Sequence, residues 1–242
     1  MEQLVDVLYE DDCVIVVNKP SGILTQSPPG IDSLEARVRE YVRWKRRETG
    51  DVYVGVPHRL DRPVSGAMVF ALRRKMANRL SKQFERREVE KTYWAIVNND
   101  VVDDSGTLSD YVRKIPGRAL AEVVASDHPE GKLAILRYQM RQRFSKGELA
   151  ASWLEIELET GRTHQIRLQW SARGHSVLGD DIYGSDQPFG PTFEDARDRQ
   201  IALHARRIAF THPKTRETME LRADVSDSWR QWDSTFRQPE IR

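Results

Sequence analysis

From residue 154 to 159 large apolar and acidic side chains alternate without a break: Leu154, Glu155, Ile156, Glu157, Leu158, Glu159. Successive side chains of a strand point to opposite faces, so this segment describes a strand with one buried and one wet face. Sheets that keep a solvated face are built from antiparallel neighbours, because parallel sheets are covered on both sides by their crossover helices. Other short segments read the same way. Strands are predicted at 5–9 and 14–18 about the turn Glu10-Asp11-Asp12, at 67–72, and at 89–97, where Tyr93, Ala95 and Val97 share a face. More follow near 120–125 and 133–144, and 207–211 with 218–222 form a hairpin across His212-Pro213-Lys214-Thr215. Helical spacing interrupts them twice. Leu34, Val38, Tyr41 and Val42 follow a capping-box-like Asp32 and Glu35, and Met76, Leu80 and Phe84 recur at intervals of four. A third helix is expected after a Thr163 cap, closed by Gly174, with Arg167 in its first turns. Residues 185–200 read as a polar excursion. The expected class is α+β with a mostly antiparallel sheet and flanking helices.

Several functions are excluded by absences. The longest apolar runs, 14–17 and 66–72, are far below the ~20 residues of a membrane helix. The amino terminus has no basic start followed by an apolar stretch, so a cytoplasmic protein without a membrane partner is expected. The single cysteine, Cys13, excludes an intrachain disulfide framework and a zinc site built on cysteine pairs. There is no Gly-x-Gly-x-x-Gly, no phosphate loop and no Gly-x-Ser-x-Gly elbow, and the histidines at 58, 128, 164, 175, 204 and 212 lack a metal-binding spacing. Neither a cofactor nor a metal is expected. Charge is informative by its distribution. The chain has a net charge of +1, yet residues 36–91 hold 16 Lys and Arg against 7 Asp and Glu. A basic block on a neutral chain reads either as solvated helix faces or as a polyanion-binding surface.

One polar constellation remains: His58-Arg59-Leu60-Asp61-Arg62, then Tyr93, then Gly161 through Arg167. Each member alone has an ordinary structural explanation. Asp61 between two arginines is a surface ion pair, Tyr93 a core aromatic, and Arg167 a salt-bridge partner.

Taken together, the motifs closely resemble the RluA family of pseudouridine synthases. The resemblance rests on His58-Arg59-Leu60-Asp61 with Ser65-Gly66, on Lys91-Thr92-Tyr93, and on Gly161–Arg167 followed by Gly179-Asp180-Asp181-Ile182-Tyr183-Gly184. Leu8-Tyr9-Glu10-Asp11, Asn18-Lys19-Pro20-Ser21-Gly22, Leu203-His204-Ala205 and Phe210–Thr215 fit the same family in its order, so that it covers about residues 5–223. Val64 stands where the family more often carries threonine, and residues 223–226 lack the prolines common there.

The resemblance implies the pseudouridine synthase catalytic fold, a mixed sheet with a central active-site cleft, as a single domain over 1–242 without an amino-terminal S4 domain. It implies isomerisation of uridine in ribosomal or transfer RNA, by a monomer with no obligate protein partner. Asp61 carries over as the catalytic carboxylate, whether by attack on C1′, attack on C6 or assistance to a glycal-forming elimination. Arg167 carries over as the guanidinium that pairs with it, and Tyr93 as the residue that stacks on the base and removes the C5 proton. Arg59 fills the place of the flipped nucleotide. Arg62, with Arg43, Arg46 and Arg47 of the basic block, is expected on RNA. A fold that binds RNA without catalysis, and a glycosidase-like enzyme using a carboxylate pair, are the competing readings; the first conflicts with an intact Asp61, Tyr93 and Arg167, the second with Asp61 as the one suitable carboxylate, Asp180 and Asp181 lying in a different motif.

Overall fold

The computed structural model describes residues 5–146 and 149–232. In chain order it contains strands β1 (Asp6–Glu10) and β2 (Val14–Lys19), helix α1 (Leu34–Arg46), strand β3 (Ser65–Ala71), helix α2 (Arg74–Glu85) and strand β4 (Glu90–Asn98). Strands β5 (Ser105–Lys114), β6 (Ala121–Val124), β7 (Lys132–Lys146) and β8 (Leu149–Leu158) follow, then α3 (Gln165–Ser171), β9 (Leu203–Thr211), β10 (Thr218–Arg222) and α4 (Asp227–Arg230). The pairings β1–β2, β2–β3, β4–β8, β5–β6, β5–β7, β7–β8 and β9–β10 are antiparallel, and the class is α+β with a mostly antiparallel sheet. Among the described residues no helix is long and apolar enough to cross a membrane.

The chain divides into two compact units. The first comprises the described residues of Met1–Lys91, Thr192–Arg199 and Ala205–Arg242. Its strands run in the order β1-β2-β3-β9-β10. Strand β3 is buried on both faces, and Val14, Val16, Ala67, Val69 and Ala71 form a core with Met76, Ala77 and Leu80 of α2 and with Ile208 and Phe210 of β9. Gly66 is at φ +120°, and a side chain there would collide with the backbone of Ala205. Only glycine lets β9 approach the start of β3 this closely.

The second unit comprises Thr92–Pro191 and Gln200–His204. Its strands run β4-β8-β7-β5-β6, with Tyr93 of β4 opposite Ile156 of β8. Strand β5 has no counterpart in the sequence reading. Its inward positions 106, 108, 110 and 112 carry Gly, Leu, Asp and Val, so only two of the four are large and apolar and the alternation is too sparse to mark a strand; its ladders with β6 and β7 make it one. Helix α3 packs Leu168 against Val112, Ala121 and Ala134.

Two helix starts differ from expectation. The cap of α1 is Ser33, whose Oγ accepts the Ala36 N–H, while Asp32 pairs with Arg37. Helix α3 starts after His164, at φ 52°, and not at a Thr163 cap; Gln165 Oε1 accepts the Arg162 N–H at 3.0 Å and the Thr160 hydroxyl at 2.8 Å.

Candidate functional site

Asp61 lies in the first unit, half-buried on the loop that leads into β3. A loop entering a fully buried strand must find partners for its own backbone polar groups, and here the segment after β2 supplies them. The Thr25 hydroxyl donates to the Leu60 carbonyl at 2.8 Å and accepts the Leu60 N–H at 3.2 Å. The Gly22 N–H donates to the Arg62 carbonyl at 2.9 Å, and the Val64 N–H donates to the carbonyl of Asp61 itself at 3.1 Å. The residues on both sides of Asp61 are therefore tied to one neighbouring segment.

Lys19 completes this attachment. It is fully buried at the end of β2, and its ammonium donates to the carbonyls of Val64 (2.7 Å), Pro20 (3.0 Å) and Arg62 (3.1 Å). Three donors meet three acceptors, so the cationic form is the one that satisfies the loop. Burial pushes its pKa down to about 7, the Asp61 carboxylate pulling it back up and Arg62 pushing further down. In the sequence Lys19 serves only as part of the resemblance. Its signal was a lysine ending an apolar strand directly before proline, where charge is unexpected.

His58, three residues before Asp61, is also a structural anchor. Its Nε2 accepts the Val69 N–H at 3.1 Å, and its ring stacks on Phe84 of α2 with centroids 4.5 Å apart. Burial first, and the nearby Lys91 charge second, hold its pKa down to about 3, so the imidazole is neutral and the acceptor role is available. Arg59 is exposed. Arg62 is committed to the loop: its Nε donates to the Gly22 carbonyl at 2.8 Å and its guanidinium lies 3.5 Å from Asp198. On α1, Arg43 donates to the Gly50 carbonyl and faces Asp51 at 3.8 Å, while Arg46 and Arg47 have no ion-pair partner among the described residues.

The second unit holds Tyr93 and Arg167, both buried. Arg167 forms a two-pronged ion pair with Asp180, Nε to Oδ2 at 2.6 Å and Nη2 to Oδ1 at 2.8 Å, with both side chains at most 3% exposed. Its guanidinium lies 4.9 Å over the Tyr183 ring. The Tyr183 hydroxyl is 2.8 Å from His164 Nδ1 and accepts the Ala121 N–H at 3.1 Å, while Ser171 and Ser176 both donate to the Tyr183 carbonyl at 2.6 Å. A planar fork gripped on its edge by a carboxylate and on its face by an aromatic ring has a fixed direction. Asp180 belongs to a motif separate from that of Arg167 in the sequence, and only the fold brings the two together. No group of three or more potential metal ligands occurs among the described residues.

Residues 13–172 match the family model described as RNA pseudouridylate synthase. The chain is 35% identical over 232 residues to the ribosomal large subunit pseudouridine synthase D of Neisseria meningitidis, an alignment that covers 92% of this chain but spans only 58% of that protein's length. It is 30% identical over 239 residues to the tRNA pseudouridine synthase C of Vibrio parahaemolyticus, covering 96% of this chain and 94% of that one. Among solved structures, human RNA Pseudouridylate Synthase Domain Containing 4 shares the fold at a TM-score of 0.75 and 21% identity, covering 96% of this chain and 93% of that chain.

Proposed function

Because the chain belongs to the RNA pseudouridylate synthase family, and to its RluA branch, we propose that it isomerises uridine to pseudouridine in ribosomal or transfer RNA, with Asp61 as its catalytic carboxylate. The observation that carries this reading is the support given to Asp61. Thr25, Gly22 and Lys19 hold the carbonyls of Leu60, Arg62 and Val64, so that one half-buried carboxylate stands on a loop with little freedom of its own. A reaction that must act on a single sugar or base position needs that kind of preorganisation.

In the proposed reaction the N1–C1′ bond breaks, C5 joins C1′, the C5 proton leaves and N1 gains one. Atoms and electrons balance without an oxidant or a second substrate. Asp61 supplies the carboxylate, and Tyr93 stacks on the base and takes the C5 proton. Arg167 supplies a guanidinium whose direction is set by Asp180 and Tyr183. Arg59, exposed beside Asp61, enters the space left by the flipped uridine, where a guanidinium can stack and meet phosphate. Arg62 is proposed to reach RNA only through the backbone it braces. Such an enzyme works in the cytoplasm on its RNA.

The test is tritium release from C5-labelled uridine in transcripts of transfer RNA and large-subunit ribosomal RNA, with free uridine alongside. Release from RNA alone, abolished in a folded Asp61→Ala protein, is expected. Parental turnover by that variant overturns the assignment of Asp61, and release from free uridine overturns the RNA substrate.

A further inference from the structure

The two basic helices carry their charge differently. Residues 32–51, which include α1, hold six Lys and Arg against five Asp and Glu; residues 73–88, which include α2, hold seven against two. The structure widens the contrast. Around α1, Arg37 pairs with Asp32 and Lys45 with Glu10, both at 2.5 Å, and Arg39 pairs with Glu35, so that half of its six cations are engaged and only Arg43, at 3.8 Å from Asp51, and the partnerless Arg46 and Arg47 remain among the described residues. On α2, Lys75 and Lys82 are exposed and have no ion-pair partner among the described residues, and Arg73 and Arg86, which flank the helix, reach carboxylates only at 3.9 and 3.8 Å. Helix α2 buries Met76, Ala77, Leu80 and Gln83, so Lys75 and Lys82, two turns apart, share its outward side.

A second segment extends this face. The Gln83 amide donates to the Thr211 carbonyl at 2.8 Å and accepts the Thr211 N–H at 2.9 Å, and Arg79 donates to the Pro213 carbonyl at 2.6 Å across 134 residues of sequence. The turn between β9 and β10 is thereby fastened to α2, and its Lys214 and Arg216 are exposed without an ion-pair partner among the described residues. Buried His212 holds the turn in shape: Nδ1 accepts the Thr215 N–H at 3.0 Å, and Nε2 lies 3.0 Å from Asp11. On another side α2 meets the Asp61 loop through the stacking of Phe84 on His58.

We propose that this composite face, with Lys75, Lys82, Lys214 and Arg216 at its centre, is where the chain grips the phosphate backbone of its RNA, in preference to the α1 face. The proposal rests on the RNA-directed reading above for the nature of the polyanion. A cation already paired with a carboxylate must give up that partner to meet a phosphate, whereas an unpaired one gives up only water and counterions. Such interactions set register on the RNA without reading sequence. The link from α2 to His58 gives the gripped RNA a fixed relation to the loop that bears Asp61.

The test compares two variants that each remove four positive charges: Lys75→Gln/Lys82→Gln/Lys214→Gln/Arg216→Gln, and Arg37→Gln/Arg43→Gln/Arg46→Gln/Arg47→Gln. Binding of transfer RNA and large-subunit ribosomal RNA transcripts is measured from about 50 to 200 mM salt, with the melting temperature as a folding control. The first variant is expected to bind at least about tenfold more weakly and to show a log–log salt slope shallower by roughly 3 to 4, at about 0.9 for each duplex phosphate that is no longer neutralised. The second is expected to change both less. A parental slope in the first variant, or an equal or larger loss in the second, overturns the proposal. Tritium release separates the two readings. A parent that binds RNA steeply but never releases tritium overturns the proposed reaction and leaves this surface standing; a parent that releases tritium while the first variant keeps its slope overturns the surface alone.

Discussion

Replacing Lys19 by methionine isolates the contribution of the loop attachment to catalysis. The substitution keeps the length and apolar stem of the side chain and removes its ammonium. Three hydrogen bonds from a charged donor disappear, those to Pro20, Arg62 and Val64, worth about 1.5–3 kcal/mol each. The cost of burying the charge disappears with them; the fall in pKa from 10.5 to about 7, in which the attraction of Asp61 and the repulsion of Arg62 are already counted, corresponds to a net cost of about 5 kcal/mol. The two terms largely cancel, so the unfolding free energy is expected to fall by at most about 4 kcal/mol. At ~2–4 °C per kcal/mol for a chain of this size, the melting temperature drops by some degrees and the protein still folds. The proposed chemical step at Asp61 has no such compensation. With the carbonyls on the far side of Asp61 released, a displacement of about 1 Å is enough to reduce the chemical step on the order of 100-fold. Single-turnover tritium release at saturating RNA, beside RNA affinity and thermal melting, measures all three. The expected pattern is a large loss in rate, a small loss in stability and an unchanged affinity. Lys19→Arg is not expected to rescue it, since a planar guanidinium cannot reproduce three converging bonds in a cage built for an ammonium. A folded Lys19→Met protein with the parental single-turnover rate refutes the reasoning.

Other outcomes follow from the same geometry. Asp180→Asn removes the carboxylate that grips the buried Arg167 guanidinium on two prongs and should cost about 3–5 kcal/mol; urea unfolding checks this, and Asp180→Asn stability within about 1 kcal/mol of the parent contradicts it. His58 has its pKa lowered from 6.5 to about 3, so below pH 6.5 the unfolded chain binds a proton that the folded chain refuses. Stability is therefore lost as the pH falls through that window, by about 3 kcal/mol between pH 7 and 4. His58→Gln, which retains an acceptor for the Val69 N–H, should remove that share of the acid sensitivity in urea titrations at the two pH values. Tyr93→Phe should keep RNA affinity and the early rate on 5-fluorouridine RNA while failing to turn over normal RNA, and full turnover would assign the C5 proton to another group.

What the residues determined by themselves was local. The 3.6-residue recurrence of Leu34, Val38, Tyr41 and Val42 placed α1, the spacing of Met76 and Leu80 placed α2, and the Leu–Glu alternation before residue 160 placed β8. These patterns survive because one buried face per element is enough to specify it. The motif carrying Asp61 was legible for the same reason, being short and contiguous. The tertiary structure decided everything that depends on a partner far along the chain. Strand β5, with only Leu108 and Val112 apolar on its inward face, is fixed by its ladders with β6 and β7. Ser33, next to the first helical residue, caps α1, while Asp32 is engaged by Arg37. Arg62, still partly exposed, turned to the Gly22 carbonyl, Asp180 closed on Arg167, and Lys19 reached Arg62 and Val64 across more than forty residues. Charge in particular cannot be read along the sequence, because its effect falls off with distance in space. Lys45 is neutralised by Glu10 thirty-five residues away, while Lys214 joins the face of α2 through the bond between Arg79 and Pro213, 134 residues apart.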